Sequence, residues 1–216
     1  MEKTLCFSAA LTDLSRPFTI GSMASFDAWA RSWSTRDLLV AITLSLGLGV
    51  VSSALASVTP LLEAFNPLLG SAVTGYATLI GLFVPYVMRR PGAGLLAAVG
   101  VGLVQAQFTP RGLNAISSGM ILGLIYEAPF ALAGYRRCGA LFMIAAGAVT
   151  AVIPTALSAV ASGLAALEGG AQLAVIGITV SSGAFGGYLA KSLADRLARS
   201  GVLASTALAR HPSDLS

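Results

Sequence analysis

The sequence predicts an all-α membrane protein with six transmembrane helices and both termini in the cytoplasm. Three observations predict it. Of 216 residues 56% are apolar and only 10% are charged, where a soluble domain carries about a quarter charged residues. The apolar residues lie in six long blocks and not in helix-period stripes, which is the pattern of membrane spans. The basic residues gather on one side of those blocks. Lipid offers the backbone no hydrogen-bond partner, so each block must be a helix that satisfies its own N–H and C=O groups.

Residues 1–36 form a polar, aromatic and charged lead-in. Its apolar stretch at 5–11 runs into Asp13 and makes a poor signal peptide. Met23, at the head of MASFDAWARSWSTRD, offers an alternative start, and Trp29 and Trp33 suit a membrane interface. The first span covers 38–59 and is expected to stop at Pro60. The second covers 68–88 and stops at Arg89 and Arg90. The third, 93–108, is short: at about 1.5 Å per residue it reaches roughly 24 Å, less than the hydrocarbon core. The fourth covers 113–134, the fifth 139–165 and the sixth 173–190. A six-helix domain at 37–190 is thus followed by a cytoplasmic tail, 191–216, whose KSLADRLARSGVLASTALAR reads as a short helix on or leaving the membrane.

The topology follows from charge. Arg31 and Arg36 precede span one, and Arg89 and Arg90 divide spans two and three. Arg136 and Arg137 divide four and five, and Lys191, Arg196 and Arg199 follow six. Only Arg111 falls on the other side, where the loops carry Glu63 and Glu168. The crowded side is cytoplasmic. Each Arg-Arg pair ends an outward-to-inward helix, where cations favour the negative helix end. Gly92 and Gly139 are then expected to close the helix and start a tight turn.

Small residues recur at every fourth position: Ala41, Ser45, Gly49 and Ser53 in span one; Ala115, Gly119, Gly123, Glu127 and Ala131 in span four; Thr179, Gly183 and Gly187 in span six. Such stripes let helices approach closely. They hold the bundle together, or one of them, in span one, docks onto a partner membrane protein. Glu127 is the ionisable residue well inside a span, where a charge costs on the order of 3 kcal/mol. It serves a site or a proton step, or it is a structural carboxyl. The uncharged polar residues Ser71, Thr74, Gln105, Gln107, Asn114, Ser117, Ser118, Thr155 and Ser158 fall in the outer halves of spans, as the lining of an outward-facing cavity would.

Several classes are excluded. Cys6 and Cys138 are too few for a disulfide framework or a metal site, and His211 is the one histidine. No P-loop, G-x-S-x-G or H-E-x-x-H appears, so no ATPase and no intramembrane enzyme is expected. The placement of the charges argues against a nucleic-acid partner, no cofactor is expected, and the halves show no inverted repeat.

The segments GYATLIGLFVPYVMRRPGA, LLAAVGVGLVQA and SGMILGLIYEAPFALAGYRRCG resemble the YkoE-type substrate-binding (S) components of energy-coupling-factor transporters. The matching motifs are the turn Arg89-Arg90-Pro91-Gly92-Ala93 and the run from Glu127 to Tyr135-Arg136-Arg137, with Trp33 and Asp37 as the lead-in to helix one. The resemblance covers roughly residues 33–165. It implies a compact S-component bundle in the cell membrane that captures thiamine or its hydroxymethylpyrimidine precursor. It also implies partners: a transmembrane coupling subunit and two cytoplasmic ABC ATPases. The chain departs from the family's pattern at two places, with Ala77 where a tryptophan is usual and Gln105 in a segment that usually carries a glutamate.

By depth and residue type the candidate substrate contacts are Gln105, Asn114, Ser118, Tyr76 and Glu127. Gln105, Asn114 and Ser118 would bond the polar edge of a heterocycle and Tyr76 would stack on it. Glu127 would fix the floor of the cavity or compensate a cation. Two other readings stand beside this one: a proton-coupled carrier acting alone through Glu127, and a non-transporting membrane scaffold.

Overall fold

A computed structural model describes residues 33–110, 112–135, 139–162 and 169–200. Outside the described residues lie the lead-in with Met23 and Trp29, then Arg111, Arg136, Arg137, Glu168 and the tail with His211. Among the described residues the regular elements are six α-helices: α1 Thr35–Phe65, α2 Pro67–Met88, α3 Ala93–Phe108, α4 Asn114–Leu132, α5 Ala140–Ser162 and α6 Gly169–Arg199. All but α3 are long and apolar enough to cross a membrane. That α3 is the short one, with 16 residues, is as its sequence predicts.

Two expected boundaries move. α1 does not stop at Pro60; it continues to Phe65. A proline in a membrane helix is tolerated where nearby hydroxyls and neighbouring helices satisfy the disturbed backbone. Here one carbonyl, that of Ala56, loses its helical donor to Pro60, and the Ser57 and Thr59 hydroxyls add bonds to the nearby carbonyls of Ser53 and Leu55 at 3.0 and 2.9 Å. Asn66 then donates its N–H to Leu62 at 2.9 Å, and Pro67 opens α2 at a position that needs no N–H donor. Toward the other end of the chain, residues 191–199 are not a separate helix. They are the last turns of α6, which runs unbroken to Arg199.

α2 is the central helix and touches all five others. Its residues 82–88 are all buried, as a helix apolar all round requires. α1, α3 and α4 pack on one flank, α6 and α5 on the other. The small-residue stripes make these contacts. Ala41, Ser45 and Ser53 of α1 are buried, and a Cβ added at Gly49 would press on Val104 and Val101 of α3. The α1 stripe therefore packs inside the molecule and does not present a docking face. Gly119 and Gly123 of α4 lie on Ala98 and Gly94 of α3, and Gly183 and Gly187 of α6 lie on α5. Between α2 and α6, Ser182 accepts from the Gly75 N–H at 2.8 Å and donates to the Ala72 carbonyl at 2.5 Å.

The basic end of the bundle is tied by more than lipid anchoring. Arg90 pairs with Asp37 at 2.8 Å, joining the α2–α3 turn to the first turn of α1. Its guanidinium also lies 6.0 Å from the centre of the Trp33 ring. Arg89 sits 5.4 Å over Tyr86, whose hydroxyl donates to Asp195 of α6 at 3.0 Å. Lys191 holds the same carboxylate at 2.5 Å. The turn is left-handed at Gly92 (φ 87°), as expected, and also at Arg89 (φ 48°). The second Arg-Arg turn is made differently. The left-handed residues there are Gly134 and Tyr135, not Gly139. The Tyr135 N–H reaches back to Phe130 at 2.9 Å, which closes α4 before the arginines are reached.

The Asp37–Arg90 pair is partly exposed, so its coupling should be modest. A double-mutant cycle of Asp37→Ala and Arg90→Ala, read by thermal melting, is expected to give about 1 kcal/mol or less.

Candidate functional site

The glycines and alanines that let α3 nest between α1 and α4 do not fill the space above their crossing. A cavity of about 180 Å³ lies there, walled by α1, α2, α3 and α4. Its polar groups are Ser52, Thr59, Gln105 and Ser118, with the rings of Tyr76 and Tyr126. Ala56, Ala77, Ala97, Ala98 and Val101 supply apolar wall. Its wall runs from Gln105 and Ser118, at the ends of α3 and α4 remote from Arg90, down to Gly94 and Tyr126, toward the basic end of the bundle.

Gln105 is the best-held polar group of the wall. Its Nε2 donates to Ser52 Oγ at 2.6 Å. Ser52 is buried, so the pair fixes the amide against α1. One N–H and the carbonyl oxygen of the amide remain for another partner. Ser118 donates to the carbonyls of Asn114 and Ala115 at 2.8 and 3.3 Å, leaving its oxygen as an acceptor. Tyr126 is buried, and its ring lies against Gly81, where any side chain would collide with it. Gly81 thus makes the room in which Tyr126 forms part of the floor.

Three of the five sequence candidates, Gln105, Ser118 and Tyr76, line this cavity together. Asn114 does not. It is the exposed first residue of α4, and its carbonyl accepts from the Ser117 and Ser118 hydroxyls. Glu127 lies outside the lining as well, beneath it. Its carboxylate accepts from the N–H groups of Gly92 and of Leu95, the latter at 3.2 Å, and from the Tyr135 hydroxyl at 2.6 Å. A carboxylate there caps the positive end of α3 and locks the α2–α3 turn to α4. Burial first, then the hydrogen bond and charge of Glu127, push the Tyr135 phenol up, so it stays a donor. Of the two roles considered for Glu127, the geometry matches fixing the floor: Gly94, which lines the cavity, packs on it.

Sequence reasoning missed Ser52 and Tyr126. Ser52 stands one residue before the small stripe of α1, and with Ala56 and Thr59 it marks a second small face at helical spacing. Tyr126 had no sequence signal beyond its place next to Glu127. Of the other outer-half polar residues, Gln107 is exposed, and Thr74 and Thr155 donate to their own helices. The side chain of Ser158 lies outside the described residues.

A bundle of apolar helices around a small cavity of mixed polarity is the architecture of a membrane protein that handles a small molecule. The chain belongs to the family described as "ABC-type cobalt transport system, permease component", whose model matches residues 36–153. It is 27% identical over 183 residues, 83% of this chain and 92% of the other, to YkoE of Bacillus subtilis (strain 168), provisionally named an HMP/thiamine permease protein. A solved structure titled "Crystal structure of an S-component of ECF transporter" superposes with a TM-score of 0.77 at 27% identity, over 84% of this chain and 93% of that one. These findings bear out the resemblance to YkoE-type S components. The fold is that of an S component, and the chain is a transport component, not an enzyme. It is a multi-pass membrane protein with a small-molecule substrate and transporter partners.

Proposed function

We propose that this chain captures thiamine or its hydroxymethylpyrimidine precursor from outside the cytoplasmic membrane. It then delivers the cargo inward in complex with a transmembrane coupling subunit and two cytoplasmic ABC ATPases. The observation that carries this reading is the cavity with the Gln105–Ser52 pair in its wall. A side-chain amide both donates and accepts, which matches the edge of an aminopyrimidine as it matches adenine in nucleic-acid recognition. Tyr76 and Tyr126 offer ring faces to a planar heterocycle.

The family description names cobalt and the relative's name speaks of HMP and thiamine. The lining favours the organic ligand. Its donors are hydroxyls, phenols and one amide, while imidazole and thiolate are the ligands that suit transition metals. Among the described residues no group of three or more His, Cys, Asp or Glu stands close enough to hold a metal ion.

Calorimetry on the purified full chain, with hydroxymethylpyrimidine, thiamine and cobalt(II) in turn, tests the reading. One-to-one binding of a pyrimidine compound is expected, weakened by roughly tenfold or more in Gln105→Ala through the loss of one or two hydrogen bonds. Saturable binding of cobalt(II) alone would overturn the vitamin reading, and no binding at all would favour the scaffold. Uptake in cells that lack the ATPases is expected to vanish; its persistence would favour an autonomous carrier.

A further inference from the structure

We infer that the Gly81 carbonyl, released from its helix by Pro85, is a hydrogen-bond acceptor in the floor of the cavity and takes an N–H or O–H donor of the cargo. This rests on the proposed capture of a pyrimidine compound and adds a backbone contact to those of the lining side chains.

A helical carbonyl accepts from the N–H four residues on, and proline has none to give. Three of the four helices that wall the cavity contain such a proline: Pro60 in α1, Pro85 in α2 and Pro129 in α4. They release the carbonyls of Ala56, Gly81 and Ile125 in turn. Ala56 and Gly81 belong to the lining and Ile125 does not. Surroundings decide between the first two. Pro60 is exposed near the end of α1 remote from the basic residues, where water reaches the Ala56 carbonyl with or without cargo. On α2, by contrast, Ile80 and residues 82–88 are buried, while Gly81 between them is half-buried and borders the cavity. Its carbonyl therefore meets a donor only by way of the cavity.

The floor leaves that carbonyl open. It points along α2 toward Pro85, as helical carbonyls point to the C-terminal end. Gly94 of α3 packs on Pro85, where an added Cβ would stand 3.2 Å from the proline ring. Gly94 lines the cavity too. The gap between Gly81 and Pro85 is thus bounded by two glycines, and neither has a side chain to cover it. A helical Cβ leans toward the N-terminal end. The Tyr126 ring, which fills the place of a Gly81 Cβ, therefore stands on the side opposite the carbonyl. A buried carbonyl without a donor is costly, so the site gains from a cargo that brings one. Hydroxymethylpyrimidine carries donor hydrogens on both its amino group and its hydroxyl. An edge-on contact with Gln105 uses one of them and leaves others for Gly81.

Pro85→Ala and Pro85→Val both return an N–H to position 85. Each closes the helical bond on Gly81 and withdraws the acceptor without touching a lining residue, and the valine keeps more of the packing on Gly94. Calorimetry on the full chain compares hydroxymethylpyrimidine with two analogues. One has a methyl in place of the amino group, the other a methyl in place of the hydroxymethyl. For one of the two, the parent-to-analogue affinity ratio is expected to fall in the Pro85 variants by about threefold to tenfold, the size of one lost hydrogen bond. Pro129→Ala closes the same kind of bond on Ile125, outside the lining, and should leave both ratios unchanged. Ratios unchanged in the Pro85 variants, or changed equally in Pro129→Ala, would overturn the inference while the capture role stands. Failure of the wild-type protein to bind the parent compound would overturn the capture role and the inference with it. Because each ratio is read within one preparation, a partial loss of folded protein does not disturb it.

Discussion

Gly187→Leu is expected to leave little or no folded protein in the membrane. Gly186 and Gly187 are neighbours on α6 that face two different helices. A Cβ at Gly186 would collide with the Gly75 carbonyl and Thr78 of α2, and one at Gly187 with the Met143 carbonyl of α5, with Gly147 Cα only 3.2 Å away. α6 is thus wedged by backbone contact between α2 and α5. Overpacking a well-filled core costs about 1–3 kcal/mol when side chains can yield. Backbone cannot yield without separating the helices, so the cost here lies at or above the upper end of that range. Size-exclusion profiles and melting curves of the detergent-solubilised variant, with Gly177→Leu as the control, check this. Gly177 sits on the same helix with nothing within 4 Å of its would-be Cβ. A Gly187→Leu protein as stable as the control would show that α5 and α6 do not pack as described.

Glu127→Ala is expected to cost about 3 kcal/mol, because two backbone N–H groups and the Tyr135 hydroxyl lose a common acceptor. Each buried donor left unsatisfied costs about 1–3 kcal/mol, and some of these will reach water at the basic end of the bundle. The loss should appear as a lower melting temperature and, because Gly94 and Tyr126 border both the cap and the cavity, as weaker ligand binding. Glu127→Gln separates this structural role from a proton step. The amide keeps one acceptor oxygen, so most of the stability and binding should survive, and uptake should continue. A carrier that moved protons through Glu127 would lose uptake in Glu127→Gln while remaining folded.

Much of the architecture was legible in the chain. Apolar blocks long enough to cross a bilayer mark their own helices, and the arginines that end them mark their own side. The recurring small residues announced close helix contacts, but not which helix each would meet. The first helix runs past Pro60 to Phe65 because a proline removes the donor of a single carbonyl, that of Ala56, and a helix packed in a membrane bundle tolerates that loss. Gly139 was misread because the turn before it is closed by Gly134 and Tyr135 from the preceding helix. Of the candidate substrate contacts chosen by depth and residue type, Gln105, Ser118 and Tyr76 line the cavity. Asn114 and Glu127, chosen by the same criteria, lie outside its lining, because depth along a helix does not say which way a side chain is directed.

What the sequence determined by itself is the class: a membrane bundle, the six helices of its described residues and the distribution of charge about it. These are properties of each segment against lipid and water, and no segment needs to know its neighbours to have them. What the tertiary structure alone decided is who meets whom. Gln105 finds Ser52 across 53 positions, and Glu127 finds Gly92 across 35. One juxtaposition holds an amide in the wall of a cavity, and the other removes the carboxylate from it. Hydrogen bonds and close packing act over a few ångströms between segments distant in the chain, so the chemistry of the site exists only once the helices are assembled.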